Sequence, residues 1–193
     1  RTDKPTPVAV EASWMIGRAS GLSGDLSAAH RWLTRAVELA RECGDPAVLA
    51  KAYSGLCLLL QMVGSFAEMD RIADESLALL EGCDRPDILS LCCNAKGNAR
   101  LALCDWADAR EWYAKAVDLA MASSDVGKAC SDLSNLGLAN LCLGDWQEAE
   151  SCFDRCSELA QRFGRQYSME LMLFNSATLS LRRGAVGEAE QRL

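Results

Sequence analysis

Apolar residues along this chain recur at i, i+3, i+4 and i+7, the spacing of one helical face, and no stretch alternates with period two. The runs break at regular intervals. Breaks fall at Gly24-Asp25, Gly64-Ser65, Cys104-Asp105, Gly144-Asp145 and Gly184-Ala185, each 40 residues after the one before. Gly tolerates the left-handed backbone that ends a helix, and Asp accepts the first free N–H groups of the next. A second set lies between them, at Gly44-Asp45-Pro46, Gly82 to Pro86, Ser123 to Asp125 and Gly164-Arg165. Pro46 and Pro86 suit the first turn of a helix. The pattern predicts helices over 7–22, 26–42, 46–62, 66–81, 87–103, 106–122, 126–143, 146–163 and 166–182, with a last piece from 186.

Side chains recur in the same phase. Seven residues before each turn stands a small residue: Gly17, Cys57, Gly97, Gly137 or Ala177. Two after the turn comes a bulky apolar one: Leu26, Phe66, Trp106, Trp146 or Val186. Five after it stands Ala29, Met69, Ala109, Ala149 or Ala189, and nine after it Leu33, Ala73, Tyr113, Phe153 or Leu193. Such self-similarity at a fixed period marks a repeat architecture. The small residue lets two helices approach, and a bulky side chain opposite fills the gap. The expected fold is all-α: about five antiparallel helix pairs stacked into one solenoid array across 1–193. Its units are 7–45, 46–85, 86–125, 126–165 and 166–193, the last truncated.

Composition narrows the function. Of 193 residues half are apolar, and 20 Lys+Arg against 27 Asp+Glu leave a net charge of −7. That is the balance of a folded chain. Without a basic cluster, nucleic acid and anionic membrane surfaces are poor partners. The longest apolar run, Leu56 to Leu60, is far too short to span a bilayer. Arg1-Thr-Asp-Lys-Pro opens no signal peptide, and the missing initiator Met suggests a processed or excised piece. Ten cysteines with no C-x-x-C and a single His30 lack the ligand spacing of a zinc site. They read as small core residues in a reducing, cytoplasmic protein. His30 reads as a surface or packing residue. No nucleophile elbow, P-loop, metalloprotease or dinucleotide motif occurs. Gly17, Gly21 and Gly24 mimic a phosphate loop but follow no strand. The expectation is a protein that is not an enzyme and needs neither cofactor nor metal.

The segment Leu136-Gly137, Gly144-Asp145-Trp146, Ala149, Phe153 and Cys156 resembles the tetratricopeptide repeat. That family usually runs at about 34 residues per unit. Units of 40 are similar to those of large bacterial ATP-binding transcription regulators of the maltose-regulator and LuxR type, of polarity adaptors and of quorum-peptide receptors. The resemblance implies a right-handed superhelix whose first helices line a binding groove. This chain departs from the pattern at Lys96 and Ser176, where Leu is expected, and at Arg100 and Asn140, where an aromatic is expected. Those polar groups must find partners.

By the same resemblance, groove positions lie three and two before, and one and four after, the small residue. Three before are Trp14, Ser54, Asn94, Ser134 and Phe174, and two before are Met15, Gly55, Ala95, Asn135 and Asn175. One after are Arg18, Leu58, Asn98, Leu138 and Thr178, and four after are Gly21, Gln61, Leu101, Leu141 and Leu181. Arg18 alone is basic in this set, so the multi-cation clamp of chaperone-tail binders is missing. Asn94, Asn98, Asn135 and Asn175 carry both donors and acceptors and suit an extended peptide backbone. Leu101, Leu141 and Leu181 beside them suit apolar side chains, and Leu138 joins the candidate set. The asparagines equally suit bridging of neighbouring helices, and the leucines a core. Trp14, Arg18 and Phe174 complete the candidate set. The leading function is a binding scaffold for a protein or peptide segment, from another protein or the same parent chain, within a larger signalling or transcription regulator. The alternative is a small-molecule sensor in such a regulator. The truncated last unit predicts self-association through the C-terminal edge.

Overall fold

The computed structural model describes residues 4–164. They form α1 (Pro7–Leu22), α2 (Leu26–Cys43), α3 (Pro46–Met62), α4 (Phe66–Ala78), α5 (Pro86–Ala102), α6 (Trp106–Ala122), α7 (Val126–Leu143) and α8 (Trp146–Arg162). Among the described residues there is no strand. The helices expected over 166–182 and from 186 lie outside them. Seven of the eight helices keep their expected ends to within a residue, while α4, expected to reach 81, stops at Ala78. Beyond it Leu80, Glu81 and Cys83 bond back to the third residue before them, so the chain tightens into short turns.

Side-chain capping explains half of the eight starts, with Thr6 capping α1. Asp25 Oδ1 accepts from the Ala28 N–H at 2.8 Å, Asp45 Oδ1 from Ala47 at 2.8 Å and Asp125 Oδ1 from Lys128 at 3.0 Å. Asp145 does otherwise: its Oδ2 accepts from Arg110 Nη1 of α6 at 2.9 Å. At the helix ends the backbone turns left-handed, and two of these positions are not glycine. Cys104, with φ 63°, stands in phase with Gly144, at φ 83°, and Ser124 has φ 58°. A side chain in that region costs roughly 1–2 kcal/mol.

The chain divides into two compact units, Arg1–Leu103 and Cys104–Leu193, so the boundary falls between the two helices of the third repeat. In the first unit, α1 packs on α2 and on α3, and α5 packs on both α3 and α4. The first helices of successive repeats are therefore neighbours, as stacked hairpins require. In the second unit α7 packs on both α6 and α8.

The forty-residue phase has a steric basis. A Cβ built on Gly137 would lie 2.2 Å from Cε1 of Phe153, and one on Gly17 would lie 2.6 Å from Cγ of Leu33. In both hairpins the bulky residue nine after the turn rests directly on the backbone of the small residue seven before it. Phe153 and Leu33 are buried, as are the alanines five after each turn, Ala29, Ala109 and Ala149.

Of the four polar departures Ser176 lies outside the described residues, and Lys96 and Arg100 find charged partners. Lys96 is 2% exposed, and its Nζ lies 2.8 Å from Asp70 Oδ1 and 2.7 Å from Asp74 Oδ1 of α4. Arg100 Nε lies 3.0 Å from the same Asp70 oxygen. An ionic cluster thus joins α4 to α5 where the repeat would place a Leu and an aromatic. Breaking such a buried pair by removing one partner costs about 3–5 kcal/mol. Asn140, 4% exposed, donates to Cys152 Sγ at 3.7 Å, and its Oδ1 has no hydrogen-bond partner.

Two expectations follow for thermal or urea unfolding. Gly137→Ala forces the Phe153 ring off its seat and should cost about 1–3 kcal/mol, with part recovered in Gly137→Ala/Phe153→Leu. Cys104→Gly removes the left-handed penalty and should raise stability by about 1 kcal/mol. An unchanged midpoint in either would contradict the packing or the turn described here.

Candidate functional site

The first unit holds a recess walled by α1, α3 and α5, the first helices of three repeats. Trp14 and Arg18 contribute from α1, Ser54, Leu58 and Gln61 from α3, and Asn94, Ala95 and Asn98 from α5. All eight are positions that the repeat phase assigned to the groove. The structure therefore brings together Trp14, Arg18, Asn94 and Asn98. It does not bring in Leu101, which lies half-buried one turn beyond Asn98 and outside the recess.

Trp14 is seated by its neighbours. A Cβ on Gly55 would lie 2.7 Å from Trp14 Cδ1, so only the bare backbone of α3 leaves room for the indole. The Arg18 guanidinium carbon sits 4.5 Å from the centroid of a Trp14 ring and the Lys51 ammonium 4.7 Å, both within cation–π range. Lys51 also pairs with Glu11 at 2.6 Å. Trp14 Nε1 is buried without a hydrogen-bond partner. Burial lowers the pKa of Arg18, and the charge of Glu11 opposes that shift. Across the recess Asn98 Nδ2 donates to Asn94 Oδ1 at 3.1 Å, one turn apart on α5.

Three lining residues escape the groove pattern: Cys57, Met69 and Leu91. Leu91 lies three before Asn94 and seven before Asn98, so the same helical face extended by one turn finds it. Met69 occupies the position that holds Ala in the other four copies, and that excess volume was its signal. Cys57 is the small core residue of its repeat and sends its Sγ to the Met69 carbonyl at 3.7 Å. The recess encloses about 90 Å³. That is well below the ~300 Å³ at which pockets for drug-sized ligands begin.

In the second unit Asn135 and Leu138 are half-buried on α7. Leu141 is 4% exposed and packs in the core, so it offers almost no surface to a ligand. Its offset from Gly137 carries it round α7 into the interior rather than onto an open face. Phe174 and Asn175 lie outside the described residues.

Residues 84–162 match the tetratricopeptide repeat family model. That segment carries the repeat. No curated protein matches the chain. Among solved structures, BtubC (BKLC) from P. vanneervenii is similar with a TM-score of 0.79 and 18% identity, over 97% of this chain and 78% of that one. A Rap protein complexed with competence and sporulation factor is similar with a TM-score of 0.81 and 14% identity, over 93% of this chain. A kinesin light chain from Podosopora anserina is similar with a TM-score of 0.73 and 15% identity, over 96% of this chain and 92% of that one. This chain spans 50% of the Rap protein's length. At these identities the likeness shows the fold, a tetratricopeptide-like solenoid.

Reactive chemistry is sparse. Among the described residues no group of three or more His, Cys, Asp and Glu could hold a metal ion, and no helix is long and apolar enough to cross a membrane. None of the ten cysteines is in a disulfide, and six are buried: Cys57, Cys92, Cys93, Cys130, Cys152 and Cys156. Burial pushes the Cys57 thiol up to about 12 and raises Cys152 and Cys156 as well. Thiols held protonated are poor nucleophiles. In a native thiol titration at pH 8, exposed Cys83 and Cys104 should react first and half-buried Cys43 and Cys142 more slowly. The six buried thiols should react only after denaturant is added, and early modification of Cys57 or Cys156 would contradict this burial.

Proposed function

We propose that this tetratricopeptide-repeat protein is a non-catalytic scaffold that binds an extended peptide segment of a protein along the first helices of its repeats. The observation that carries the reading is the recess between α1, α3 and α5, whose walls present an arginine, two asparagines, a serine and a glutamine around an apolar floor. Amides and hydroxyls suit a peptide backbone, because each backbone unit offers one donor and one acceptor. A volume near 90 Å³ suits one side chain. It argues against the small-inducer alternative for this recess, since a metabolite needs a pocket several times larger. The Rap protein solved with competence and sporulation factor supports peptide recognition on a related fold.

On this reading the scaffold belongs to a larger signalling or transcription regulator whose output lies elsewhere. Its ten cysteines, none of them in a disulfide, support a reducing, cytoplasmic setting. Asn135 and Leu138 present a comparable face on α7 of the second unit, and self-association through the C-terminal edge remains a separate part of the proposal.

The test is an array of random octapeptides with amidated C-termini, followed by anisotropy titration of the selected sequences. The protein should select peptides with a shared pattern. Asn94→Ala/Asn98→Ala should weaken binding by about tenfold or more, as loss of two hydrogen bonds implies, with the helical circular dichroism unchanged. Failure of the unaltered protein to select any peptide would overturn the reading.

A further inference from the structure

Three half-buried or buried cations of the first unit have carboxylate partners. Lys51 pairs with Glu11, Lys96 with Asp70 and Asp74, and Arg100 with Asp70. Arg18 is the exception: among the described residues no carboxylate lies within ion-pair distance of it, and its contact is the face of Trp14 at 4.5 Å. Leaving a guanidinium partly desolvated without a counter-charge is costly unless something supplies the charge. Arg18 also lines the recess, and no Asp or Glu lines it. The side chains around it are neutral: Ser54, Gln61, Asn94 and Asn98.

We propose that the recess is a specificity subsite for one acidic side chain, an Asp or Glu of the bound peptide, with Arg18 as its ionic partner. The argument rests on the peptide-scaffold reading and adds to it the chemistry of one ligand position. Arg18 presents planar paired N–H groups that suit a carboxylate in two-point contact. The indole of Trp14 holds the guanidinium, so little side-chain freedom is lost on binding. The Asn94–Asn98 pair on the opposite wall supplies amide groups for the peptide backbone beside that side chain. The volume of about 90 Å³ admits one short side chain. A single cation here is enough to choose between an acid and its amide. Burial lowers the pKa of Arg18, with the charge of Glu11 opposing the shift, which agrees with a partly desolvated guanidinium.

The experiment uses the same amidated octapeptide array at 0.15 M salt, with the unaltered chain and with Arg18→Met, which keeps much of the apolar stem. The unaltered protein should enrich Asp or Glu at one position of the selected peptides. Exchanging that residue for Asn or Gln should weaken binding about tenfold, which is about 1.4 kcal/mol. Arg18→Met should bind the acidic and amide peptides alike, while Arg18→Lys should retain part of the preference. Selected peptides with no acidic position, or an acid preference that survives Arg18→Met, would overturn this inference and leave the scaffold reading standing. Binding that appears only when the peptides carry a free C-terminal carboxylate would also overturn it, since the ligand would then be the chain end. No selection from the amidated array or from the same array with free C-terminal carboxylates would overturn both.

Discussion

The fold rests on how closely two helices of a hairpin can approach. At Gly137 and Gly17 the missing Cβ lets the Phe153 ring and the Leu33 side chain lie against the backbone of the facing helix. That contact sets the register of these two hairpins, because a bulky side chain can enter only where the opposite position is small. It also explains the period. The distance along the chain from small residue to turn to bulky residue is the same in these two hairpins, so Gly17 and Gly137, and Leu33 and Phe153, take equivalent places. Alanines five after the turn complete the close packing, and the helices need few large residues to bury their faces.

Where the pattern admits charge, the charge is neutralised locally. Lys96, Asp70, Asp74 and Arg100 convert an expected apolar contact between α4 and α5 into an ionic one. Buried ion pairs of this kind add little net stability over an apolar contact but strongly disfavour mispairing, since a slip by one turn would strand a charge. Arg18 differs because its charge meets a ring rather than an acid. The first unit thus holds two arrangements of cations: those paired with carboxylates between helices, and one stacked on an indole.

Much of this was legible in the residue pattern. Periodicity located all eight helices, and Gly-Asp and Pro signals placed their ends. The end of α4 was missed because Leu79 and Leu80 continue the apolar period, yet the chain there tightens toward Gly82. The shared recess was legible through the repeat phase, which placed Trp14, Arg18, Asn94 and Asn98 in line. Burial was harder to read. The same phase nominated Leu141, but a leucine at helical spacing gives no sign of whether it faces a groove or a core. Met69 entered the recess floor because its side chain is longer than the alanine of the other repeats, a departure visible in the sequence whose direction was not. The partners of Lys96 lie on the preceding helix, 22 and 26 residues away, a spacing no local motif encodes.

The close contact of Gly137 with Phe153 lies inside a single hairpin and needs nothing from the next one. Each forty-residue stretch is therefore a module that gene duplication can copy or delete whole, with its seam falling in an exposed loop. Lineages can lengthen or shorten such an array in fixed increments, and the residues lining the recess can diversify while the interior is inherited intact.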